Sequence, residues 1–299
     1  MGWPMARKLC EAGFETHVWN RTMAKAQPLA AYGATVHAEA AQAVAGADVV
    51  VSMLEHGQVT ESVLFEPGAG QGTGRGTRGG AGQGIPQSVA QAMQKGALLI
   101  DMSSSKPREA RDHAARLTAL GLHHIDCPVS GGTVGADSGT LVMMAGGSAE
   151  DFERARPVLE VFGRATHVGP HGAGQLTKLA NQMIVGGTIG VVAEALLLAA
   201  RGGADMSKVR EAMMGGFADS RILQLHGERM AKRDFAPRGR LGVQLKDMRN
   251  AVDCAQETGM DAPIVSFFEQ LYAMADSHGL GELDHSGLFV ELASRNGMN

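Results

Sequence analysis

Short runs of β-branched and aliphatic residues alternate with stretches of helical period through the first half of the chain. Residues 16–19, 47–53, 97–101 and 123–126 read as strands, and 23–32, 89–95 and 107–120 read as helices between them. Strands that alternate with helices predict βαβ units and a mostly parallel sheet. The run Val49-Val50-Val51 has no in–out alternation, which suits a strand covered on both faces.

The pattern changes after residue 174. Residues 176–201 carry one long helical period that Gly202-Gly203 should stop, and further helices are predicted at 206–215, 223–233, 244–257 and 264–277. The expected organisation is an α/β domain over residues 1–172 and an all-helical domain over 173–299, joined by the long helix. Residues 67–85 interrupt this order with glycine and small polar residues and little to bury, so they read as a surface loop without fixed structure.

Composition narrows the classes. The net charge of -4 argues against a nucleic-acid surface, and 44% hydrophobic residues suit a globular chain. Cys10, Cys127 and Cys254 are odd in number and without a CxxC pair, which predicts free thiols, no zinc site and a reducing, cytoplasmic setting. The start has no apolar run of a secretory signal. Residues 189–200 are apolar but carry Glu194 and are short for a bilayer, so no membrane association is expected.

Candidate chemistry begins at Gly2-Trp3-Pro4-Met5-Ala6, which resembles the second half of the glycine turn, GxGxMGxPMA, of the β-hydroxyacid dehydrogenases, the 3-hydroxyisobutyrate dehydrogenase-like family. The resemblance implies a Rossmann-like first domain in which Gly2 lets the first helix pack closely beside a dinucleotide. The strand and two glycines that precede this turn in the family have no counterpart in the sequence, so both neighbours of that strand should show unpaired backbone. A start placed too late is the expected reason.

Roughly 18 residues after the turn comes Asn20-Arg21-Thr22, with no acidic residue. A carboxylate here would bind the ribose hydroxyl of NAD, whereas arginine suits the extra phosphate of NADP, so NADP is favoured over NAD. Met53-Leu54 matches the family segment beneath the cofactor, and Ser103, at another strand end, implies a hydroxyl beside nicotinamide and substrate.

More specific is the sixteen-residue run Asp126 to Leu141, with Ser130-Gly131-Gly132 as a nest of backbone N–H groups for a substrate carboxylate. Gly172-Ala-Gly-Gln-Leu-Thr-Lys178-Leu-Ala-Asn181-Gln182 resembles the family's catalytic segment. Spacings of three and four place Lys178, Asn181 and Gln182 on one helix face. The resemblance makes Lys178 the proton donor, with Asn181 beside it and Gln182 on the substrate. The positive helix end disfavours a second positive charge at Lys178 and eases loss of its proton.

Lys246, in Gln-Leu-Lys-Asp-Met, resembles a cofactor-binding segment, and Asp284-His285-Ser286 reads as a helix N-cap similar to the ending of the tartronate semialdehyde reductases within the family. These features imply reduction of a small carboxylate-bearing aldehyde. A 3-hydroxyisobutyrate dehydrogenase and a non-catalytic NADP-binding protein remain the alternatives. The few polar positions between residues 184 and 198 further predict a homodimer or homotetramer.

Overall fold

The computed structural model describes residues 1–68 and 88–298. The glycine-rich segment read at 67–85 lies, from residue 69 on, outside the described residues. The chain divides into two compact units, Met1–Lys178 and Leu179–Asn299.

The first unit runs α1 (Gly2–Glu11), β1 (His17–Val18), α2 (Met23–Ala26), β2 (Thr35–Val36), α3 (Ala40–Val44), β3 (Val49–Ser52), α4 (Gly57–Phe65), α5 (Val89–Ala92), β4 (Leu98–Asp101) and α6 (Pro107–Ala119). It continues through β5 (His123–Asp126), β6 (Val129–Ser130), α7 (Gly132–Ser138), β7 (Leu141–Gly146), α8 (Ala149–Phe162) and β8 (Gly163–Gly169) to the start of α9 (Ala173–Arg201). The helix expected over 23–32 is broken: α2 gives way to a 3-10 segment, Gln27–Tyr32, where Pro28 has no N–H to continue the α-ladder.

β3, β4 and β5 are parallel, with Val49 opposite Leu98 and Leu98 opposite His123. The sheet is not parallel throughout, because β7 pairs antiparallel with β5 and β6 before β8 rejoins in parallel. β4 is buried at every residue, as a strand covered on both faces should be.

β1 and β2 form a separate two-stranded parallel sheet. Among the described residues β1 therefore pairs on one side only, and so does β3. In a parallel ladder alternate residues face alternate sides. Asp48 and Ser52 carbonyls are taken by Leu98 and Met102, so Val49 and Val51 turn their backbone groups to the open edge. Helix α1 covers both pieces: Met5 and Leu9 join the core containing Val49 and Val51, while Ala6 and Cys10 pack with Val18 and Val36.

The second unit holds most of α9, then α10 (Met206–Met213), α11 (Arg221–Lys232), α12 (Leu241–Glu257), α13 (Pro263–Ala275) and α14 (Leu288–Arg295). Gly203 takes φ +87° just past α9, the left-handed stop that the glycine pair foretold. Ser220 and Asp205 cap α11 and α10 by accepting the N–H three residues on.

With 29 residues, α9 extends well beyond the apolar run 189–200, and by length and composition it could cross a membrane. Its Ile189, Ala193 and Leu196 are fully buried in the core of the helical unit, with Met230, Met248, Tyr272 and Phe289. Each large apolar side chain buried this way contributes about 1.5–3 kcal/mol. α13 crosses at the α9 glycines, where Tyr272 Oη donates to Gly186 O at 3.1 Å and the Phe268 ring would meet a Cβ on Gly190.

Candidate active site

The chemistry-bearing segment of α9 is held by strand-borne groups of the first unit. Asp126, the last residue of β5 and fully buried, accepts the Gly172 N–H at 2.7 Å on Oδ1 and the Gln175 N–H at 2.9 Å on Oδ2. A helix leaves its first N–H groups without internal partners, and this carboxylate supplies them from outside the helix. Burial pushes the Asp126 carboxyl up to about 6, against the hydrogen bonds from Gly172 and Gln175 that favour its charged form.

The approach is so close that only glycine fits. A Cβ on Gly174 would lie 2.4 Å from Met144 O and 2.5 Å from Asp126 O, and one on Gly146 would lie 2.7 Å from Gly174 N. The Gly-x-Gly entry read from the sequence is therefore a packing requirement as well as a motif.

Gln175, also fully buried, clamps the loop after β4. Its Oε1 accepts from Ser105 N at 3.0 Å and its Nε2 donates to Ser103 O at 2.8 Å. The helix that carries Lys178 is thereby tied to the ends of both β4 and β5.

Ser103, read as a hydroxyl beside nicotinamide and substrate, lies just past the end of β4. It is fully buried, and its Oγ accepts the Leu54 N–H at 2.9 Å and lies 3.3 Å from Thr60 Oγ1. Its N–H donates to Asp101 Oδ1, which also takes the Ser52 hydroxyl at 2.7 Å. The side chain thus joins the ends of β3 and β4, because a buried hydroxyl takes the nearest backbone partner. Ser104, the next residue, is half-exposed. Burial raises the Asp101 carboxyl, while the Ser103 and Ser52 bonds oppose that rise.

Ser130 is half-buried, and Gly131 and Gly132 are exposed with φ of +130° and +63°. The two glycines make the turn between β6 and α7 and leave this backbone accessible, as an anion nest requires.

Asn20, Arg21 and Thr22 are exposed just after β1, and Asn20 Oδ1 accepts the Thr22 N–H at 2.9 Å, shaping the turn that displays Arg21. Met53 and Leu54 follow β3 and are half-buried. The N-terminus of α1 has no side-chain cap and no acidic residue in its first turn, so its N–H groups suit a phosphate oxygen. These groups fit a dinucleotide phosphate and its 2′-phosphate. A Cβ on Gly2 would meet only Met53 at 3.8 Å, an ordinary contact.

On α9, Lys178 and Asn181 are half-buried. Gln182 was expected on substrate, but it is buried and its Nε2 donates to Asp247 Oδ2 at 2.7 Å. Its Oε1 accepts from Asn181 Nδ2 at 2.8 Å. Lys246, on α12, is partly exposed and lies 3.3 Å from Asp247 Oδ1. Asp284 caps the turn before α14, accepting from Ser286 N as expected, and also receives Arg229 Nη1 at 2.9 and 3.1 Å.

Asp126, Gln175 and Gln244 were given no role from the sequence, and Asp247 only a place beside Lys246 in the segment that resembles a cofactor contact. Asp126 stood inside the quoted motif, but nothing in a linear pattern shows which N–H groups a carboxylate will reach.

Comparison with known proteins agrees with this layout. A family model described as the NAD binding domain of 6-phosphogluconate dehydrogenase matches residues 1–78 and 81–170, and one described as NAD-binding of NADP-dependent 3-hydroxyisobutyrate dehydrogenase matches 172–292. The chain is 38% identical over 294 residues to the 2-hydroxy-3-oxopropionate reductase of Escherichia coli (strain K12), covering 98% of this chain and 94% of that protein. It is 34% identical to a 3-hydroxyisobutyrate dehydrogenase of Pseudomonas aeruginosa, covering 96% and 92%. The solved 3-hydroxyisobutyrate dehydrogenase of Mycobacterium tuberculosis superposes with a TM-score of 0.84 at 30% identity, covering 98% and 95%. With both family models matched along the chain and relatives this similar over nearly its whole length, the chain belongs to the β-hydroxyacid dehydrogenases of the 3-hydroxyisobutyrate dehydrogenase type, NAD(P)-dependent oxidoreductases that act on the CH–OH group of 3-hydroxyacids.

Proposed function

We propose that this chain reduces tartronate semialdehyde to glycerate with NADPH. The observation that carries the reading is the fixed start of α9: Asp126 and Gln175 hold the helix on which Lys178 stands. Arg21, Asn20, Thr22, Met53, Leu54 and the N-terminal turn of α1 at Gly2 would hold the dinucleotide. When bound, NADPH supplies the hydride that reaches the aldehyde carbon. The backbone at Ser130, Gly131 and Gly132 holds the substrate carboxylate. Lys178 gives a proton to the carbonyl oxygen as it becomes a hydroxyl, and solvent returns a proton to the amine. Asn181 orients this exchange by hydrogen bonding.

The choice of aldehyde is supported by the 38% identity to a 2-hydroxy-3-oxopropionate reductase. The 34% identity to a 3-hydroxyisobutyrate dehydrogenase favours a second reading, with an apolar substituent on the same acid skeleton. One hydroxyl or methyl changes selectivity only modestly, so the two readings share a site.

Association into a homodimer or homotetramer belongs to the same proposal. Ile184, Val191 and Leu198 are 70, 60 and 74% exposed at a spacing of seven residues along α9. Sedimentation as a monomer at micromolar concentration would remove that part.

The deciding experiment follows NADPH consumption with tartronate semialdehyde and with methylmalonate semialdehyde, each repeated with NADH. Preference for the first aldehyde and NADPH supports the reading, and preference for the second selects the alternative. Lys178→Ala should lower turnover by several orders of magnitude with NADPH affinity kept. If the chain binds NADPH but turns over neither aldehyde, even with an extended apolar strand supplied ahead of α1, the non-catalytic reading prevails.

A further inference from the structure

Side chains of α9 and α12 form a hydrogen-bonded run whose direction follows from chemistry. Asp247 is buried, and its Oδ2 lies 2.7 Å from Gln182 Nε2. A carboxylate has no proton to give, so the nitrogen of the Gln182 amide must be the atom facing it. The same nitrogen reaches Gln244 Oε1 at 3.3 Å. Gln244 is fully buried, and its own nitrogen donates to the Gln182 backbone carbonyl at 3.1 Å, which fixes that amide as well.

With its nitrogen committed, Gln182 presents Oε1 on the opposite side, where it accepts Asn181 Nδ2 at 2.8 Å. A carbonyl oxygen only accepts. Asn181 must therefore turn its nitrogen toward Gln182 and its Oδ1 away. Asp247 and Gln244 Oε1 both draw the Gln182 nitrogen inward, and the carboxylate is the closer and stronger acceptor. An amide can be turned over at almost no steric cost, so without such an anchor the outer one would present either face.

We propose that Asp247 is a positioning residue for catalysis, setting Asn181 through Gln182 so that Oδ1 is the atom offered outward. Asn181 then acts as an acceptor and orients a donor: the Lys178 ammonium one helical turn earlier, or the hydroxyl of the alcohol. This rests on the assignment of Lys178 and Asn181 to the reaction made above.

The test is a charge swap read in two ways. Asp247→Asn keeps the shape but lets that position donate, so the Gln182 amide and then Asn181 can turn over. Gln182→Glu sets a second carboxylate against Asp247. Asp247→Asn should lose about tenfold or more in kcat, whereas Gln182→Glu alone still accepts from Asn181 and should lose less. The combination D247N/Q182E restores the direction, because the new carboxylate again accepts from both neighbours. It should recover most of the lost kcat. The second readout is the side-chain amide signal of Asn181, one of five asparagines in the chain, after selective 15N labelling. It should shift in Asp247→Asn and return in the swap.

Unchanged kcat and an unchanged Asn181 signal in Asp247→Asn would overturn the proposal. So would a swap that recovers neither, since Asp247 would then act by its own charge or by packing. A signal that moves and returns while turnover stays constant would leave the orientation standing and remove Asn181 from the chemistry. If Lys178→Ala also keeps turnover, the failure lies with the proposed function and not with the relay.

Discussion

The Asp126 carboxylate at the end of β5 accepts the Gly172 N–H at 2.7 Å, so a strand residue caps the helix that begins 47 positions later at Ala173. Replacing Asp126 by Ala would leave the Gly172 and Gln175 N–H groups buried without that partner. The expected cost is about 2 kcal/mol of stability, by the usual size of a lost cap and an unsatisfied buried donor. Denaturant unfolding measures it, and turnover should fall as well, because Lys178 sits on the freed helix. Unchanged midpoint and turnover would show that something else fixes α9.

Acid should weaken the first unit through His124. Burial, with His171 and His113 nearby, lowers its pKa to about 3, and neither ring nitrogen meets a protein partner among the described residues. The unfolded chain takes up this proton near pH 6.5 and the folded chain does not, so stability is lost as pH falls below 6.5. Asp126 works the other way. Its folded pKa, pushed up to about 6, lies above the unfolded value, so stability is gained as pH falls from 6 to about 4. His124→Leu should remove the first effect alone. Its advantage over the parent should grow by about 2 kcal/mol between pH 7.5 and 5, at 1.36 kcal/mol per pH unit. Parallel melting curves across that range would refute the assignment.

Gly174→Ala tests the close approach directly. The added methyl would fall 2.4 Å from Met144 O, which is backbone and cannot swing aside. The first turn of α9 must move, and we expect a loss of more than 2 kcal/mol together with most of the activity. Gly202→Ala, whose methyl would sit 3.4 Å from Ala199 O at the far end of the helix, serves as the comparison and should change stability little.

Arg21 is exposed on a turn held by Asn20. If it meets the 2′-phosphate of NADP, Arg21→Ala should weaken NADPH about tenfold and leave NADH nearly unchanged, a loss of about 1.4 kcal/mol for a charge-assisted contact. Equal weakening of both cofactors by fluorescence titration would remove that role.

Asp284 is fully buried, receives Arg229 at 2.9 Å, and takes the Ser286 hydroxyl at 2.7 Å. Burial alone would raise its carboxyl, but hydrogen bonds from His226 and Ser286 and the Arg229 charge hold it far below the usual range. Its charge therefore persists at any ordinary working pH. Asp284→Ala should destabilise the helical unit by about 3 kcal/mol, the scale of a buried pair that loses one partner. A shift below about 0.5 kcal/mol would mark the network as incidental.

Much of the fold was legible in the chain. β3 and β4 announced themselves as apolar runs, and Gly203 marked the end of α9. Four strands, β2, β6, β7 and β8, were not read. Thr35–Val36 and Val129–Ser130 are two residues each, too short for a period, and β7 follows a turn whose glycines masked it. The break at Gln27–Tyr32 was signalled by Pro28, but propensity over the surrounding alanines outweighed it.

Residue types and spacing alone determined the family, the dinucleotide fold and the face shared by Lys178 and Asn181, because motifs and helical period are local properties of a chain. Tertiary structure decided which side chains face inward. Ser103 and Gln182 looked like ligand contacts in sequence, yet their hydrogen bonds go to Leu54 and Asp247, residues 49 and 65 positions away. Asp126 had no assigned role in sequence, and Asp247 only one beside Lys246, yet each accepts hydrogen bonds from a distant segment once folded. A buried polar group must find a partner, and the nearest one is fixed by packing between distant segments, which no local pattern records.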